Sequence, residues 1–275
     1  MLGRKKRGYL AACRYVLGEF GAKFRAAALA ITLAILIVLA SGISLSGQSG
    51  GPFVVGEKLQ YRLSWLNFSS AATISFSVLE QRSLYGWNVY HFRVVANTLP
   101  PLRKLFVIDD QIDSYTDSTS FASHQYETYL NELGRAEDSR MELTPQGGVP
   151  RGHVASVIVP AGTRDPVGLL ESLRSHDWQA YPELRVPVFD GTDVYDVRAQ
   201  RTAANQQVSV QAGSYDADQV SIQCSQPGKG LQKIRFDVWI SRDVRHMPVR
   251  MEAQLPLGTF RVELTGHSLE AQAGK

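Results

Sequence analysis

The stretch Glu-Lys-Leu-Gln-Tyr-Arg-Leu-Ser-Trp at residues 57–65 alternates between polar and apolar side chains from its second residue onward. A period of two is typical of a β-strand with one buried face, because successive side chains of an extended chain point to opposite sides. Residues 71–79 and 88–96 repeat the pattern, and the turn at 85–88 joins them. The three segments predict an antiparallel meander with one apolar and one solvated face. The apolar members of the first segment are Leu59, Tyr61, Leu63 and Trp65.

Further short extended segments follow, and turn residues such as Asp190-Gly191 separate them. Many short strands beside one clear helix argue against a parallel α/β fold and its nucleotide sites. We therefore expect a mainly β protein, with one large, strongly curved antiparallel sheet that is open or forms a partial barrel. The predicted strands lie at residues 107–115, 123–132, 140–144, 154–159, 185–189, 194–200, 207–212, 218–224, 231–240, 248–255 and 260–266.

One helix is predicted near residues 165–174. Asp165 is a good N-cap residue, and Pro166 suits the first helical position. Four aliphatic side chains then form an apolar stripe, which predicts that the helix covers one end or one face of the sheet. The stripe consists of Val167, Leu169, Leu170 and Leu173.

The N-terminal region predicts export from the cytoplasm. Residues 1–25 form a basic leader, and residues 26–45 are an apolar run that would span about 30 Å as a helix. The positive-inside rule places the leader in the cytoplasm and the rest beyond a bacterial inner membrane. We favour a single-pass signal anchor for 26–45. A cleaved signal peptide, which would release the protein to the periplasm, and a buried core helix are the alternatives. Residues 46–55 are then a linker, and 56–270 a β-rich exported domain.

Charge and cysteine content exclude several classes of protein. The net charge is +3, but residues 1–50 hold seven Lys and Arg and one Glu, so the remainder is mildly acidic. This distribution gives no electrostatic basis for binding nucleic acid. With only two cysteines, the chain cannot build a disulfide framework or a multi-cysteine zinc site.

The acidic group at residues 109–117 is the densest set of candidate metal ligands. Asp109 and Asp113 share one face of the predicted strand, together with Gln111. A calcium loop also needs a glycine bend and a distal bidentate Glu, and neither is present. We expect instead the solvated face of an edge strand. The chain carries no close histidine pair and no catalytic signature motif, so we expect no metal and no cofactor, and a non-enzymatic protein is favoured.

Aromatic residues on the inward faces of adjacent strands are the candidate ligand-binding residues. In a curved sheet they would converge on one region, where they could line an apolar cavity for an acyl chain or another amphiphile. The alternative is a packed core. These residues are Tyr61, Trp65, Phe76, Tyr90 and Phe92.

Several segments in order resemble the bacterial family called domain of unknown function 3108. The match runs from about Gly56 to the C-terminus. The family is similar to exported, β-rich envelope proteins without an assigned activity, and its shape is similar to that of lipid-handling periplasmic proteins. That similarity implies a binding role by analogy of fold only. The segments are 56–65, 71–75, 86–93, 105–110, 114–117, 165–174, 189–191, 238–243, 247–250 and 255–258.

Three functional hypotheses follow. The first is a membrane-tethered envelope domain that binds an amphiphile or assists envelope assembly. The second is a structural protein with a filled core that docks an envelope protein. The third is an envelope hydrolase that uses Asp109, Asp113 and a histidine. The candidate partners are the membrane, through the N-terminal helix, a lipid or other amphiphile, and an envelope protein.

Overall fold

The computed structural model describes residues 51–105, 107–132, 135–152, 157–226, 230–231, 235–255 and 258–269. The predicted leader (1–25), the predicted transmembrane segment (26–45) and the first part of the predicted linker lie outside these residues. Among the helices in the described ranges, none is both long enough and apolar enough to span a membrane.

Thirteen strands in the described ranges form one antiparallel sheet. Twelve of them follow a continuous path in the order β6-β5-β4-β3-β2-β1-β13-β12-β11-β9-β8-β7, and β10 pairs with β9. The prediction of a mainly β protein with one large antiparallel sheet is confirmed. The strands are β1 Glu57–Trp65, β2 Phe68–Leu84, β3 Trp87–Thr98, β4 Asp109–Asp117, β5 Ser123–Glu132, β6 Arg135–Glu142, β7 Glu183–Phe189, β8 Val194–Val210, β9 Gly213–Gln226, β10 Gly230–Leu231, β11 Arg235–Ser241, β12 Pro248–Leu255 and β13 Gly258–Leu269.

The first three strands form the predicted meander. Leu59 of β1 pairs with Phe76 of β2, and Phe76 pairs with Val94 of β3. All three side chains are buried, so the apolar faces of the strands lie on the same side of the sheet. The alternating pattern therefore fixes both the pairing and the side that faces the core.

Three of the predicted strands take a different form in the structure. The segments 194–200 and 207–212 were expected to be separate, but one strand, β8, runs through both as far as Val210. Its register shifts against β9 near Ala203, and Asn205 has a φ of 53°. A bulge keeps two strands paired while it resets the alternation, so the pattern imitates the end of a strand. Of the predicted strand 154–159, the described part contributes only an isolated bridge between Gly148 and Val159.

The sheet curves until its two ends approach one another. β6 and β7 stand at opposite ends of the strand order. Residues 163–164 nevertheless bridge the two sides, since Thr163 O accepts from Ser123 N of β5 at 3.0 Å and Arg164 N donates to Pro187 O of β7 at 3.0 Å. The predicted strong curvature is therefore visible in the backbone hydrogen bonds.

The helix α1, Pro166–Ser175, begins where the sequence predicts, with Asp165 as its N-cap. Its N-terminal end contacts Ser114 of β4, and its C-terminal end contacts Glu57, the first residue of β1. These contacts place α1 across one end of the curved sheet, as expected for a covering helix. However, residues 166–174 are buried all round, including the polar side chains. The apolar stripe predicts that one face of α1 is buried, whereas the curved sheet buries its polar face as well.

Candidate functional site

Three of the five predicted aromatic residues come together beneath α1. Phe76, Tyr90 and Phe92 lie near one another, with ring centroids 5.7 Å apart for Phe76 and Phe92 and 5.5 Å apart for Tyr90 and Phe92. Phe53 inserts its ring among them, 5.9 Å from Tyr90 and 5.5 Å from Phe92. Phe53 falls within the predicted linker, yet its side chain is buried in the core.

The other two predicted residues have different surroundings. Trp65 stacks on Phe260 at 5.4 Å, at the end of β1 away from Glu57, so it does not join the group beneath α1. Tyr61 lies in the core on the inner face of β1. Its hydroxyl interacts electrostatically with two residues of α1, Glu171 and Arg174. A ligand-binding role for the predicted set stays a prediction.

The N-terminal end of α1 holds a buried carboxylate whose oxygens all have donors. Asp165 Oδ2 accepts from Ser114 Oγ at 2.5 Å and from Ser123 Oγ at 2.5 Å. Asp165 Oδ1 accepts from the backbone amides of Val167 at 2.8 Å and Gly168 at 3.0 Å. Burial raises the pKa of Asp165, and these hydrogen bonds oppose the rise. The cluster fixes the start of the helix against β4 and β5.

Gly168 shows how closely this end of the helix is packed. A methyl group added at Gly168 would lie 2.9 Å from Thr116 Cγ2 and 3.1 Å from Ser123 Oγ. Only a residue without a side chain lets the first turn of α1 approach β4 and β5 this closely.

The C-terminal end of α1 holds a buried ion pair. Arg174 Nη2 donates to Glu57 Oε2 at 2.8 Å and to Oε1 at 3.0 Å. The same nitrogen donates to Arg245 O at 3.1 Å, in the loop between β11 and β12. The guanidinium also lies over the rings of Phe53, at 4.7 Å, and Phe76, at 5.7 Å. The aromatic group and the ion pair are thus parts of one buried region.

Four buried polar atoms in this region have no hydrogen-bond partner among the described residues. They are Tyr61 Oη, both carboxyl oxygens of Glu171, and Arg174 Nη1. Glu171 and Arg174 are 0% exposed, and Tyr61 is 2% exposed. Buried polar atoms normally have a partner, so a group of four calls for an explanation.

The protonation states follow from burial. Burial raises the pKa of Glu171 well above its ordinary value; Arg174 opposes the rise, while Glu57 and Asp165 add to it. Burial also raises the pKa of Tyr61. Burial therefore favours the protonated form of the Glu171 carboxyl, and the Tyr61 phenol keeps its proton at neutral pH. We name Tyr61, Glu171 and Arg174 the inner polar cluster.

Tyr90 connects the inner polar cluster with the surface. Its side chain is half-buried and packs against the core. Burial raises the pKa of Tyr90, and the nearby Glu171 raises it further. Glu171 thus lies behind a side chain that reaches solvent.

Asp109 and Asp113, the two acidic candidates on β4, are in polar contacts on the outer face. β4 lies between β3 and β5, so the expectation of an edge strand is wrong. Asp113 is buried and accepts from His91 at 2.6 Å, Arg93 at 2.8 Å and Gln111 at 2.6 Å. Burial would raise the pKa of Asp113, but these hydrogen bonds outweigh it and lower the pKa.

Asp109 is engaged in a similar way. It accepts two hydrogen bonds from Arg103, at 2.5 Å and 2.6 Å, and the hydrogen bond from Arg103 is the main reason why its pKa is lowered. Lowered pKa values make both Asp109 and Asp113 poor proton donors at neutral pH, which favours a structural role. Among the described residues, no group of three or more His, Cys, Asp and Glu side chains could hold a metal ion.

Sequence reasoning missed Glu57, Glu171 and Arg174. Glu171 and Arg174 are charged residue types, which a helix normally directs to solvent, and Glu57 is far from them in the chain. The available signal was weak: a glutamate and an arginine three residues apart in a helix otherwise rich in leucine.

A family model described as "Protein of unknown function (DUF3108)" matches residues 60–265. The chain belongs to the DUF3108 family. The matched range runs from β1 to β13, so it contains α1 and the inner polar cluster. No curated protein matches this DUF3108 chain.

Solved structures resemble the DUF3108 chain in fold at low sequence identity. One is a beta-barrel-like protein of the DUF1849 domain of unknown function from Brucella abortus. It has 13% identity and a TM-score of 0.52, with 79% of this chain and 99% of that chain covered. This likeness shows a shared fold. A lipoprotein candidate from Parabacteroides distasonis has 11% identity and a TM-score of 0.40, with 82% and 100% covered. An exported-protein candidate from Bacteroides fragilis has 9% identity and a TM-score of 0.37, with 79% and 98% covered.

Proposed function

We propose that this DUF3108 protein is a non-enzymatic, membrane-tethered domain on the periplasmic side of the inner membrane that binds an amphiphile inside the curve of its sheet. One observation carries the proposal. Beneath α1, four buried polar atoms without partners among the described residues lie beside a group of aromatic rings. A polar head and an apolar chain on one molecule would suit the two parts of this region.

The energetic argument rests on the cost of unpaired polar groups. A buried polar group without a hydrogen bond costs about 1–3 kcal/mol. Four such atoms in one place would remove a large part of the stability of an ordinary domain, which is about 5–15 kcal/mol. An occupant that bonds to them offsets this cost. The aromatic rings of Phe53, Phe76 and Phe92 give that occupant an apolar surface.

The leader sequence supports the proposed location. The basic residues before 26–45 favour a cytoplasmic N-terminus and an exported domain. At most about 3.5 Å per residue separates the end of the apolar run at Leu45 from Phe53, so a retained anchor would hold the aromatic group within roughly 30 Å of the bilayer. The membrane is then the nearest source of amphiphiles. Cleavage of the leader would instead give a periplasmic carrier.

Photo-crosslinking in cells tests this proposal on the full chain. Cells are fed a fatty acid that carries a diazirine in its chain and is incorporated into their lipids, and crosslinked peptides are identified by mass spectrometry. We expect crosslinks to peptides of β3 and α1, which contain Tyr90, Phe92 and Glu171. Labelling confined to residues 26–45 would contradict the proposal.

A filled core that docks an envelope partner is the second candidate. The complete burial of α1 and the insertion of Phe53 among the inner rings favour it. Water would then bond to the inner polar cluster. The same crosslinking experiment distinguishes the two, because this candidate expects no lipid crosslink inside the sheet and a stable protein partner in pull-downs of the full chain.

A further inference from the structure

We propose that the inner polar cluster binds the carboxylate of a single-chain fatty acid. This inference rests on the proposed function and names the chemistry of the amphiphile's head. Tyr61, Glu171 and Arg174 are the residues that would contact it.

The cluster has more donors than acceptors. Tyr61 Oη supplies one O–H, and Arg174 Nη1 supplies N–H groups with no acceptor among the described residues. Glu171, whose protonated form is favoured by burial, supplies another O–H. Glu57, the nearest carboxylate, already accepts from the other terminal nitrogen of Arg174. Three donor atoms thus stand against one unpartnered carboxyl acceptor, the second oxygen of Glu171, so the missing partner is mainly an acceptor of hydrogen bonds.

An ionised carboxylate is such a group. It has two oxygens that accept about four hydrogen bonds and no donor of its own. An ammonium head would add donors to a site that already has too many, and an alcohol would bring one donor with its acceptors. Hydrogen bonds to an ionised acceptor are about twice as strong as those between neutral groups.

The buried charges favour a head with a single negative charge. Arg174 and Glu57 form an ion pair, and the protonated Glu171 adds no charge. A carboxylate would add one negative charge directly beside the guanidinium of Arg174. A phosphate monoester would bring nearly two, close to Glu57, at a higher cost of desolvation.

The surroundings also provide a place for the acyl chain. The guanidinium of Arg174 lies over Phe53 and Phe76, so the apolar surface begins at the proposed carboxylate position. Phe92 and Tyr90 continue that surface toward solvent. The head would lie at Glu171, and the chain would extend past the ring of Tyr90.

The test compares probes that differ only in the head group. Laurate, dodecanol, dodecylamine and dodecylphosphocholine are titrated, below their micelle concentrations, into the full chain held in lipid nanodiscs. Binding is read from calorimetry and, for laurate, from the ¹³C shift of its labelled carboxyl carbon. We expect laurate to bind at least tenfold more tightly than the other three.

Variants connect that preference with the cluster. Tyr61→Phe should weaken laurate binding about tenfold, since it removes a hydrogen bond to a charged group. Glu171→Leu should weaken it by a similar factor, whereas Glu171→Gln, which keeps an N–H donor, should restore most of it. The matched control is Tyr129→Phe, which removes a phenol on the outer face that donates to Glu127.

Each alternative outcome has a clear meaning. Equal binding of all four probes, or preference for dodecylphosphocholine, overturns the carboxylate assignment and leaves the proposed function standing. A laurate preference that survives Tyr61→Phe and Glu171→Leu overturns the assignment to this cluster. If none of the probes binds to the wild type or to the Tyr129→Phe control, the carboxylate assignment is overturned. If crosslinks inside the sheet are also absent, the proposed function is overturned as well.

Discussion

A carboxyl group is completely buried at each end of α1, but the two groups differ in their hydrogen bonding. At the N-terminal end, Asp165 accepts four hydrogen bonds from two serines and two backbone amides. At the C-terminal end, both oxygens of Glu171 lack a partner among the described residues, as do Tyr61 Oη and Arg174 Nη1. The difference teaches that burial of a charged residue alone does not mark a site. The Asp165 carboxylate is fully hydrogen-bonded as part of a structural joint, and we propose that the second end binds a further molecule.

Arg174→Met should have the largest effect on stability. It leaves Glu57 buried without its cation, which typically costs about 3–5 kcal/mol. The measurement is chemical denaturation of the full chain in detergent micelles. Because the loss comes from the unpaired charge, Glu57→Gln combined with Arg174→Met should recover part of it. A double variant no more stable than Arg174→Met alone would contradict this account.

Asp165→Ala should cost about 2–3 kcal/mol at the other end of α1. It removes an N-cap, worth about 1 kcal/mol, and leaves buried donors such as Ser114 Oγ without an acceptor. Asp177→Ala is the control, because the Asp177 carboxylate accepts from the amides of Gln179 and Ala180 in an exposed turn. Equal losses for the two variants, measured by the same denaturation, would show that the N-terminal joint is not special.

Glu171→Gln should stabilise the protein by about 1–2 kcal/mol at about pH 5.5. The folded pKa of Glu171 is raised above its unfolded value, so its contribution falls as pH rises from about 4.3 toward the folded pKa, by about 1.4 kcal/mol per unit. Glutamine removes this dependence, while Arg174, Glu57 and Asp165 stay in place around it. The free energies of unfolding of the two proteins should agree near pH 4 and diverge at higher pH. A gap that is independent of pH would be inconsistent with a buried, protonated Glu171.

Tyr61→Phe should have the smallest effect on stability, within about 1 kcal/mol of the wild type. The lost hydroxyl has no protein partner among the described residues, so its removal takes away no protein hydrogen bond and one unpaired polar group. Thermal unfolding of delipidated full-length protein measures the change. A loss of several kcal/mol would mean that this hydroxyl has a structural partner, and the contrast between the two ends of α1 would weaken.

The parts of the fold that sequence could predict are those set by local patterns. The alternation in 57–65 predicts both the strand and its buried face, because side-chain direction in a strand depends only on position. Asp165 and Pro166 likewise predict where α1 begins, since capping is a matter of adjacent residues. The continuous β8 was missed because a bulge changes the phase of the pattern without ending the pairing.

The candidate site was only half predictable for a related reason. Phe76, Tyr90 and Phe92 follow from strand alternation, and the structure brings them together. The ion pair joins residues 117 positions apart, and the only local sign that Glu171 and Arg174 face inward is their spacing of four and seven residues from Val167. Burial of a polar helix face depends on how far the sheet curves, which is a property of the whole chain.

A high-resolution structure of the full chain, purified from membranes without added lipid, tests the central claim most directly. We predict elongated density along Phe53 and Phe92 that ends in a polar group within hydrogen-bond distance of Tyr61 Oη and Arg174 Nη1. Density for isolated water molecules alone at these atoms, or side chains of the protein that bond directly to one another there, would contradict the account.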